Sequence, residues 1–244
     1  MNPTVIPFCF PGVPGVRAAF TTAQSGPERG NIALGTARDP QAVAANRQAL
    51  KDALGFSGWC SLRQVHGADM AFEPEPVALD APSVLVADGS ATSAPGMALV
   101  VKTADCQPIL LAHEGGRHVA ALHVGWRGNV IGFPQSGVRD FCARYGLDPA
   151  ELWAVRGPSL GPAASEFTNF EAEFGPGFRE FFDPATGTVD LWRLTRRQLA
   201  EAGIRPERIL GIDLCTRSLR EFHSYRRDRW ASGRQASLVW IEEG

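Results

Sequence analysis

The sequence predicts one α/β domain, built on a mixed sheet, that spans all 244 residues. A compact chain of this length buries roughly 70–75% of the surface that its unfolded form exposes, so it can build one large core. Short β-like runs alternate with helix-like runs, but not in strict βαβ order, which argues against a doubly wound parallel sheet. The proline-rich stretch Glu73–Pro82 lies between predicted strands and is too short to separate two cores, so it is predicted to be a surface loop.

The first third of the chain is predicted to contain two strands and a helix. Val16–Thr22 is rich in apolar and β-favouring residues and predicts a strand. Asp39 is a good N-cap, Pro40 suits the first helical position, and Gly55 is a typical helix end, so a helix is predicted between them. Trp59–His66 alternates between apolar and polar residues, which predicts a half-buried strand.

The remaining elements are predicted from apolar runs bounded by turn residues. A hairpin is expected where Glu114–Gly116 separates two of the runs. The predicted strands are Met97–Thr103, Pro108–His113, His118–Val124, Leu152–Arg156, Ile209–Leu214 and Ala236–Ile241, and the predicted helices are Val130–Tyr145, Phe170–Phe182 and Leu191–Ala202.

Composition excludes several classes of protein. The 24 Lys and Arg nearly balance the 26 Asp and Glu, and the net charge of −2 argues against a dedicated nucleic-acid binder. The longest apolar stretch, Met97–His113, is interrupted by Lys102 and Asp105, so no membrane span is expected. The N-terminus lacks a basic region and carries three prolines, which is unlike a signal peptide. A cytoplasmic location is therefore expected, and no sequence feature indicates an oligomeric state.

Five cysteines at wide spacing form neither a disulfide framework nor a CxxC zinc motif. One of them, Cys106, belongs to a set of three residues with metal-ligand chemistry, together with His66 and His123. Each lies at the end of a predicted strand, where sites are usually built. Two imidazoles and a thiolate suit zinc and leave a fourth position open. The spacing alone is a weak signal, because a lone His or Cys in a strand is more often an ordinary core residue.

Five short segments carry a more specific signal: QVHG, TADC, HVGWRG, RGPSLGP and FHSYRRD. Together they resemble the YfiH-like family, also called laccase-domain or polyphenol-oxidase-like proteins. The resemblance implies an α/β/β/α sandwich and one zinc ion held by His66, Cys106 and His123. One departure stands out, because Ala163–Ala164 replaces a Cys–Cys pair that the family often carries after the second Gly-Pro.

The resemblance also implies an activity. It indicates a zinc-dependent purine nucleoside phosphorylase acting on adenosine, inosine and S-methyl-5'-thioadenosine, with adenosine deaminase activity, and His66, Cys106 and His123 as catalytic residues. The partners would then be a purine nucleoside and phosphate. Arg127 is a candidate phosphate ligand because a guanidinium can bind phosphate through two hydrogen bonds. Arg63 and Gln64 flank His66 and are candidate substrate-binding residues.

Two alternatives remain open. Cys106 and His123 could be the nucleophile and base of a metal-free cysteine hydrolase or amidase, of the type that edits peptidoglycan precursors, with His66 as the orienting group. A copper-binding polyphenol oxidase is the second alternative. Copper could bind the same trio, but the chain has only five histidines, too few for a multicopper oxidase, which needs about ten.

Overall fold

The computed structural model describes residues 3–244, which form two β-sheets packed face to face with helices on both outer surfaces. The strands are β1 (Val5–Phe8), β2 (Val16–Thr21), β3 (Gly58–Ser61), β4 (Met70–Phe72), β5 (Gly89–Thr92), β6 (Met97–Thr103), β7 (Gln107–His113), β8 (Val119–Val124), β9 (Leu152–Arg156), β10 (Phe182–Asp183), β11 (Thr188–Val189), β12 (Ile209–Gly211) and β13 (Gln235–Ile241). The α-helices are α1 (Pro40–Leu54), α2 (Trp126–Val130), α3 (Phe133–Tyr145), α4 (Phe170–Glu173), α5 (Leu191–Glu201) and α6 (Tyr225–Asp228).

Both large sheets are mixed. The first sheet has the order β1-β2-β13-β6-β3 and is antiparallel except for the parallel pair of β6 with β3. The second has the order β12-β9-β7-β8-β5-β4, and its outermost pairs, β12 with β9 and β4 with β5, are parallel. Strands β10 and β11 form a separate two-stranded ribbon.

The main core lies between the two sheets because alternate residues of each strand point to opposite faces. Phe20, Leu99 and Val239 from the first sheet share one buried cluster with Leu110 and Val155 from the second. These side chains are at most 3% exposed, so the interface excludes water. Burying apolar surface of this kind contributes about 25 cal/mol per Å².

The outer faces of the sheets are covered by helices. Leu50 of α1 packs in one cluster with Val100 and Leu238 of the first sheet. Phe141 of α3 and Leu199 of α5 pack against the outer face of the second sheet. This layer order confirms the mixed-sheet α/β/β/α sandwich.

Helix α1 confirms the prediction from its capping residues. The Asp39 carboxylate accepts a hydrogen bond from the Gln41 N–H (2.9 Å), Pro40 occupies the first turn, and Gly55 ends the helix in the left-handed conformation (φ 78°). Strands β6 and β9 and helix α5 also match their predicted ranges to within one residue.

Four predicted elements are wrong in length or type. The strand predicted at Ile209–Leu214 ends at Gly211. The strand predicted at Trp59–His66 begins at Gly58 and ends at Ser61; beyond it, Arg63 forms an isolated bridge with Val86 and His66 has a positive φ of 62°, which regular strand geometry does not allow. The helix predicted at Val130–Tyr145 begins only at Phe133, because Gly132, whose φ is 72°, separates α3 from the short helix α2 that precedes it. The helix predicted at Phe170–Phe182 is a single turn followed by a 3-10 helix and a strand, because Pro176 lacks the N–H that a continuing helix needs.

The phenylalanines of that last region form a small core of their own. Phe167, Phe174 and Phe181 pack together, and Trp126 of α2 contacts the same cluster. Their spacing resembles that of a helix, but their burial comes from packing on one another. No helix within residues 3–244 combines the length and apolarity needed to cross a membrane.

Candidate metal centre

The three residues with metal-ligand chemistry lie together at one end of the sandwich. One donor atom from each of His66, Cys106 and His123 lies within 4.8 Å of the others. The Cys106 Sγ is 3.7 Å from the His66 Nε2, and the two imidazole rings are 4.9 Å apart between centroids. Within residues 3–244 this is the one cluster of three or more such side chains that could share an ion.

The topology explains why residues so distant in sequence meet. Cys106 lies in the turn where the chain leaves β6 of the first sheet and enters β7 of the second. His123 lies in β8 and pairs with Pro108 of β7, so it lies beside the start of β7. His66 lies on the loop that follows β3, and β3 is the parallel neighbour of β6. The three candidate ligands therefore come from segments adjoining both sheets.

Asp88 connects two of the three ligands. Its carboxylate accepts a hydrogen bond from the His123 Nδ1 (2.7 Å) and from the backbone N–H groups of Val65, His66 and Gly67 (3.0, 3.0 and 2.7 Å). The first bond places the ring proton of His123 on Nδ1 and leaves Nε2 free to bind a metal. The other three hold the loop that carries His66.

Asp88 is fully buried but ionised. Burial raises the pKa of its carboxyl, but the hydrogen bonds from His123 and from the backbone outweigh burial and hold the pKa below its ordinary value. No local sequence pattern assigns this role to Asp88, because its partners lie more than twenty residues away on either side. The one available signal is its position inside the segment that also contains Cys106 and His123.

The electrostatics of Cys106 and His123 are coupled. Burial raises the pKa of the Cys106 thiol, but the charge of His123 and hydrogen bonds from both histidines lower it to about 6. Burial lowers the pKa of His123, whereas the negative charge of Cys106 and the hydrogen bond to Asp88 raise it to about 9. At neutral pH the metal-free site therefore holds a thiolate beside an imidazolium.

Gly125 leaves the space that an ion would need. A Cβ atom at this position would lie 2.9 Å from the His66 Cδ2 and 3.1 Å from the Cys106 Sγ. A side chain here would therefore occupy the space between two of the three donors. The donor set of two imidazoles and one thiolate, the free Nε2 of His123 and this space fit a zinc ion with one open coordination position.

Asp105 shapes the turn next to Cys106. It has a positive φ of 95°, unusual for a residue with a side chain, and such strain persists only where the surroundings impose it. Its carboxylate accepts hydrogen bonds from the Thr216 hydroxyl (2.7 Å) and the Arg226 N–H (2.6 Å), and its carbonyl accepts one from the Leu160 N–H (2.9 Å). Asp105 therefore connects the ligand turn to the C-terminal part of the chain.

Gln64 and Lys102 fix the start of the His66 loop. Both polar atoms of the Gln64 amide pair with the backbone of Lys102, at 2.8 and 2.9 Å. The Lys102 ammonium donates hydrogen bonds to Ser61, Leu62 and Ser83. Gln64, which the sequence indicates as substrate-binding, thus also holds the loop to β6.

The two predicted substrate-binding arginines are both exposed. The backbone N–H of Arg63 bonds to the Leu85 carbonyl (2.8 Å) at an isolated bridge between Arg63 and Val86. Arg127 lies in the first turn of α2, two residues after Gly125, and its guanidinium lies 4.2 Å from the centroid of the Trp126 ring. Both side chains are free to reach a ligand from the solvent side.

Comparison with known proteins covers almost the whole chain. Residues 17–242 match the family described as "Multi-copper polyphenol oxidoreductase laccase". The chain is 34% identical over 259 residues to purine nucleoside phosphorylase YfiH of Escherichia coli, covering 99% of this chain and 100% of that protein. It is also 34% identical over 249 residues to a purine nucleoside phosphorylase of Pseudomonas aeruginosa, covering 96% and 97% of the two chains.

Solved structures show the same fold. The hypothetical protein YfiH of Bacillus licheniformis matches with a TM-score of 0.86 at 26% identity, covering 93% of each chain. YlmD of Geobacillus stearothermophilus matches with a TM-score of 0.85 at 28% identity, covering 96% of this chain and 94% of that one. From these matches and the specific segments around His66, Cys106 and His123, the chain belongs to the YfiH-like family of laccase-domain proteins.

Proposed function

We propose that this protein is a zinc-dependent purine nucleoside phosphorylase acting on adenosine, inosine and S-methyl-5'-thioadenosine, with adenosine deamination as a second activity. The observation that carries the proposal is the match, over nearly the whole chain, to relatives named purine nucleoside phosphorylases. The cluster of His66, Cys106 and His123 supports it, since these three donors fit zinc.

Each residue of the site has a distinct task in this proposal. His66, Cys106 and His123 would hold the zinc, which would supply Lewis acidity to a bound substrate. Asp88 keeps the His123 proton on Nδ1. Arg127 and Arg63, which are exposed, would contact the nucleoside and phosphate, whereas Gln64, whose amide is paired with the Lys102 backbone, would position the His66 loop beside them.

In phosphorolysis one bond to the ribose forms as another breaks. An oxygen of hydrogen phosphate forms a bond to the anomeric carbon of the ribose as the bond from that carbon to the purine nitrogen breaks. The nitrogen keeps the electron pair and receives the phosphate proton. The products are the free purine and ribose 1-phosphate.

Product chromatography tests this proposal directly. With adenosine, we expect adenine and ribose 1-phosphate only when phosphate is present, whereas inosine formed without phosphate reports deamination. Cys106→Ala, His66→Ala and His123→Ala should each lose zinc and activity together, because all three serve one ion, while Cys9→Ala, an exposed cysteine outside the trio, should retain both. Absence of turnover of adenosine, inosine and methylthioadenosine by zinc-loaded protein would contradict the proposal.

A metal-free cysteine hydrolase is the second candidate because the structure contains a Cys–His–Asp arrangement. His123 lies between Cys106 and Asp88, and the Asp88 carboxylate holds its Nδ1. This corrects the sequence-based assignment of His66 as the orienting group, because Asp88 occupies that position. In other cysteine enzymes a thiolate beside an oriented imidazole is an activated nucleophile.

Alkylation of Cys106 distinguishes the two candidates. If Cys106 binds zinc, iodoacetamide should modify it slowly in the zinc-loaded protein and rapidly after chelation. In the chelated protein the rate should fall as pH drops through about 6, because the lowered thiol pKa keeps the reactive thiolate down to that pH. Mass spectrometry of the modified peptide measures this rate. A hydrolase would instead react rapidly without a chelator and keep its activity after metal removal.

A multicopper oxidase is not supported. Only five histidines are present, and the region from residue 3 to residue 244 contains a single cluster able to hold an ion. Copper at that one cluster is the remaining alternative metal, and elemental analysis of protein purified without added metal would identify it. The cytoplasmic location stays a prediction.

A further inference from the structure

Arg234 lies beside the proposed metal centre, and the proposed function gives it no role so far. Arg234 immediately precedes β13, whose first residue, Gln235, pairs with Thr103 at the end of β6. The antiparallel register therefore places Arg234 alongside the turn that leads to Cys106. Burial lowers the pKa of Arg234, and the negative charges of Cys106 and Asp105 oppose this, as expected for a cation that faces the ligand turn.

The guanidinium of Arg234 is only partly used. Its Nη1 donates hydrogen bonds to the carbonyls of Ser232 (3.0 Å) and Gly233 (2.8 Å). Throughout the part of the chain that the structure describes, Nε and Nη2 have no hydrogen-bond acceptor, and no carboxylate lies within ion-pair distance. The Nε and Nη2 edge of this partly buried side chain is therefore available to a ligand.

The backbone around Arg234 is held firmly. The Arg234 N–H donates to the Asn31 Oδ1 (2.9 Å), and the Arg234 carbonyl accepts from the Ile32 N–H (3.1 Å). The preceding Gly233 has no room for a side chain, because a Cβ atom there would lie 2.7 Å from the His223 Cε1. The arginine is thus anchored at its base, while its guanidinium edge remains free.

We propose that Arg234 binds the phosphate co-substrate through its Nε and Nη2 edge. The proposal rests on the proposed phosphorylase function and deepens it. The two N–H groups of this edge form a planar fork that matches two phosphate oxygens. Arg127, the arginine that the sequence favours for this role, is exposed and stacked on Trp126, so water screens its charge more strongly than that of the half-buried Arg234.

Two substitutions test the role of Arg234 in the zinc-loaded protein. Arg234→Gln removes the charge and the fork, and we expect the KM for phosphate to rise ~10- to 100-fold with the KM for the nucleoside unchanged. Arg234→Lys keeps the charge without the fork and should give an intermediate value. Arg139→Gln, which removes an exposed arginine of α3, is the matched control and should leave both KM values unchanged.

Calorimetric titration with inorganic phosphate alone gives a readout that does not depend on turnover. Wild type should bind phosphate, and Arg234→Gln should bind it ~10-fold or more weakly, with unchanged zinc content and unfolding temperature. If phosphorolysis proceeds and Arg234→Gln leaves the phosphate KM unchanged, the inference is wrong and the proposed function stands. If phosphate binds through Arg234 but no nucleoside is cleaved, the proposed function fails and the anion site stands. Equal losses of stability in both variants, without a selective effect on phosphate, would assign Arg234 a structural role and overturn the inference.

Discussion

Gly125→Ala is expected to remove most of the zinc from the protein while leaving the fold intact. The new methyl group would lie 2.9 Å from the His66 Cδ2, shorter than real Cβ contacts, and 3.1 Å from the Cys106 Sγ, tighter than most, so the neighbouring side chains must shift. The backbone of Gly125, with φ −79° and ψ 175°, suits alanine. The effect of the substitution therefore comes from lost space and not from backbone strain. The His66 side chain is exposed and can rotate away while Asp88 still holds its backbone, which separates the donors without unfolding the core.

A displaced ligand should have a large effect on activity, since misplacement of about 1 Å in a catalytic site can cost ~100-fold in rate. Zinc content by elemental analysis and the phosphorolysis rate should fall together in Gly125→Ala, at a nearly unchanged unfolding temperature. Gly128→Ala, inside helix α2, is the matched control, because the nearest atom to a Cβ there is Val124 Cγ1 at an ordinary 3.5 Å and the next two lie at 3.9 Å. A Gly125→Ala protein with full zinc and full activity would show that the three residues do not share an ion at this place.

Asp88→Asn is expected to weaken zinc binding by about 10- to 100-fold, the usual cost of losing a carboxylate that orients a ligand histidine. The asparagine oxygen can still accept the His123 proton, but its NH₂ group then faces the N–H groups of Val65 and Gly67, where only an acceptor fits. Competition with a chelator of known zinc affinity measures the change. Asp39→Asn is the matched control, because asparagine caps helix α1 as well as aspartate does.

The same variant should change stability with a defined pH dependence. The pKa of Asp88 is lower in the folded protein than its ordinary value of 3.8. Its contribution to the free energy of unfolding is therefore fully present above about pH 4 and is lost as pH falls through the folded-state pKa. The difference in stability between wild type and Asp88→Asn should persist at neutral pH and shrink only below about pH 4. A difference that disappears at neutral pH would argue against an ionised Asp88.

Local signals predicted those parts of the molecule whose structure is determined locally. Helix α1 is defined by Asp39, Pro40 and Gly55, all at its own ends. Strand β9 is a short apolar run whose boundaries coincide with its turn residues. His66, Cys106 and His123 stood out because their residue types and neighbouring motifs carry chemical information before the fold is known.

Features that depend on distant residues were not predicted. The fold brings the Asp88 carboxylate into hydrogen bonds with the backbone of Val65–Gly67 and with His123. No sequence pattern near Asp88 indicates those partners. Strands β4 and β5 are short and become strands only by pairing with each other and with β8. The phenylalanines from Phe167 to Phe182 are spaced as on one face of a helix. Pro176 prevents a continuous helix, and the rings pack on one another instead.

The position of β13 sets an order of events during protein synthesis. This strand lies between β2 and β6, yet it follows β6 by more than half the length of the chain. Until the ribosome has released the residues through Ile241, β2 and β6 have no strand between them and expose unpaired edges. The first sheet therefore closes only after synthesis of β13, and the Cys106 turn at the end of β6 acquires its final support at the same moment. A nascent chain that still lacks β13 therefore presents two unpaired strand edges, and such edges are sites of aggregation until a strand pairs with them.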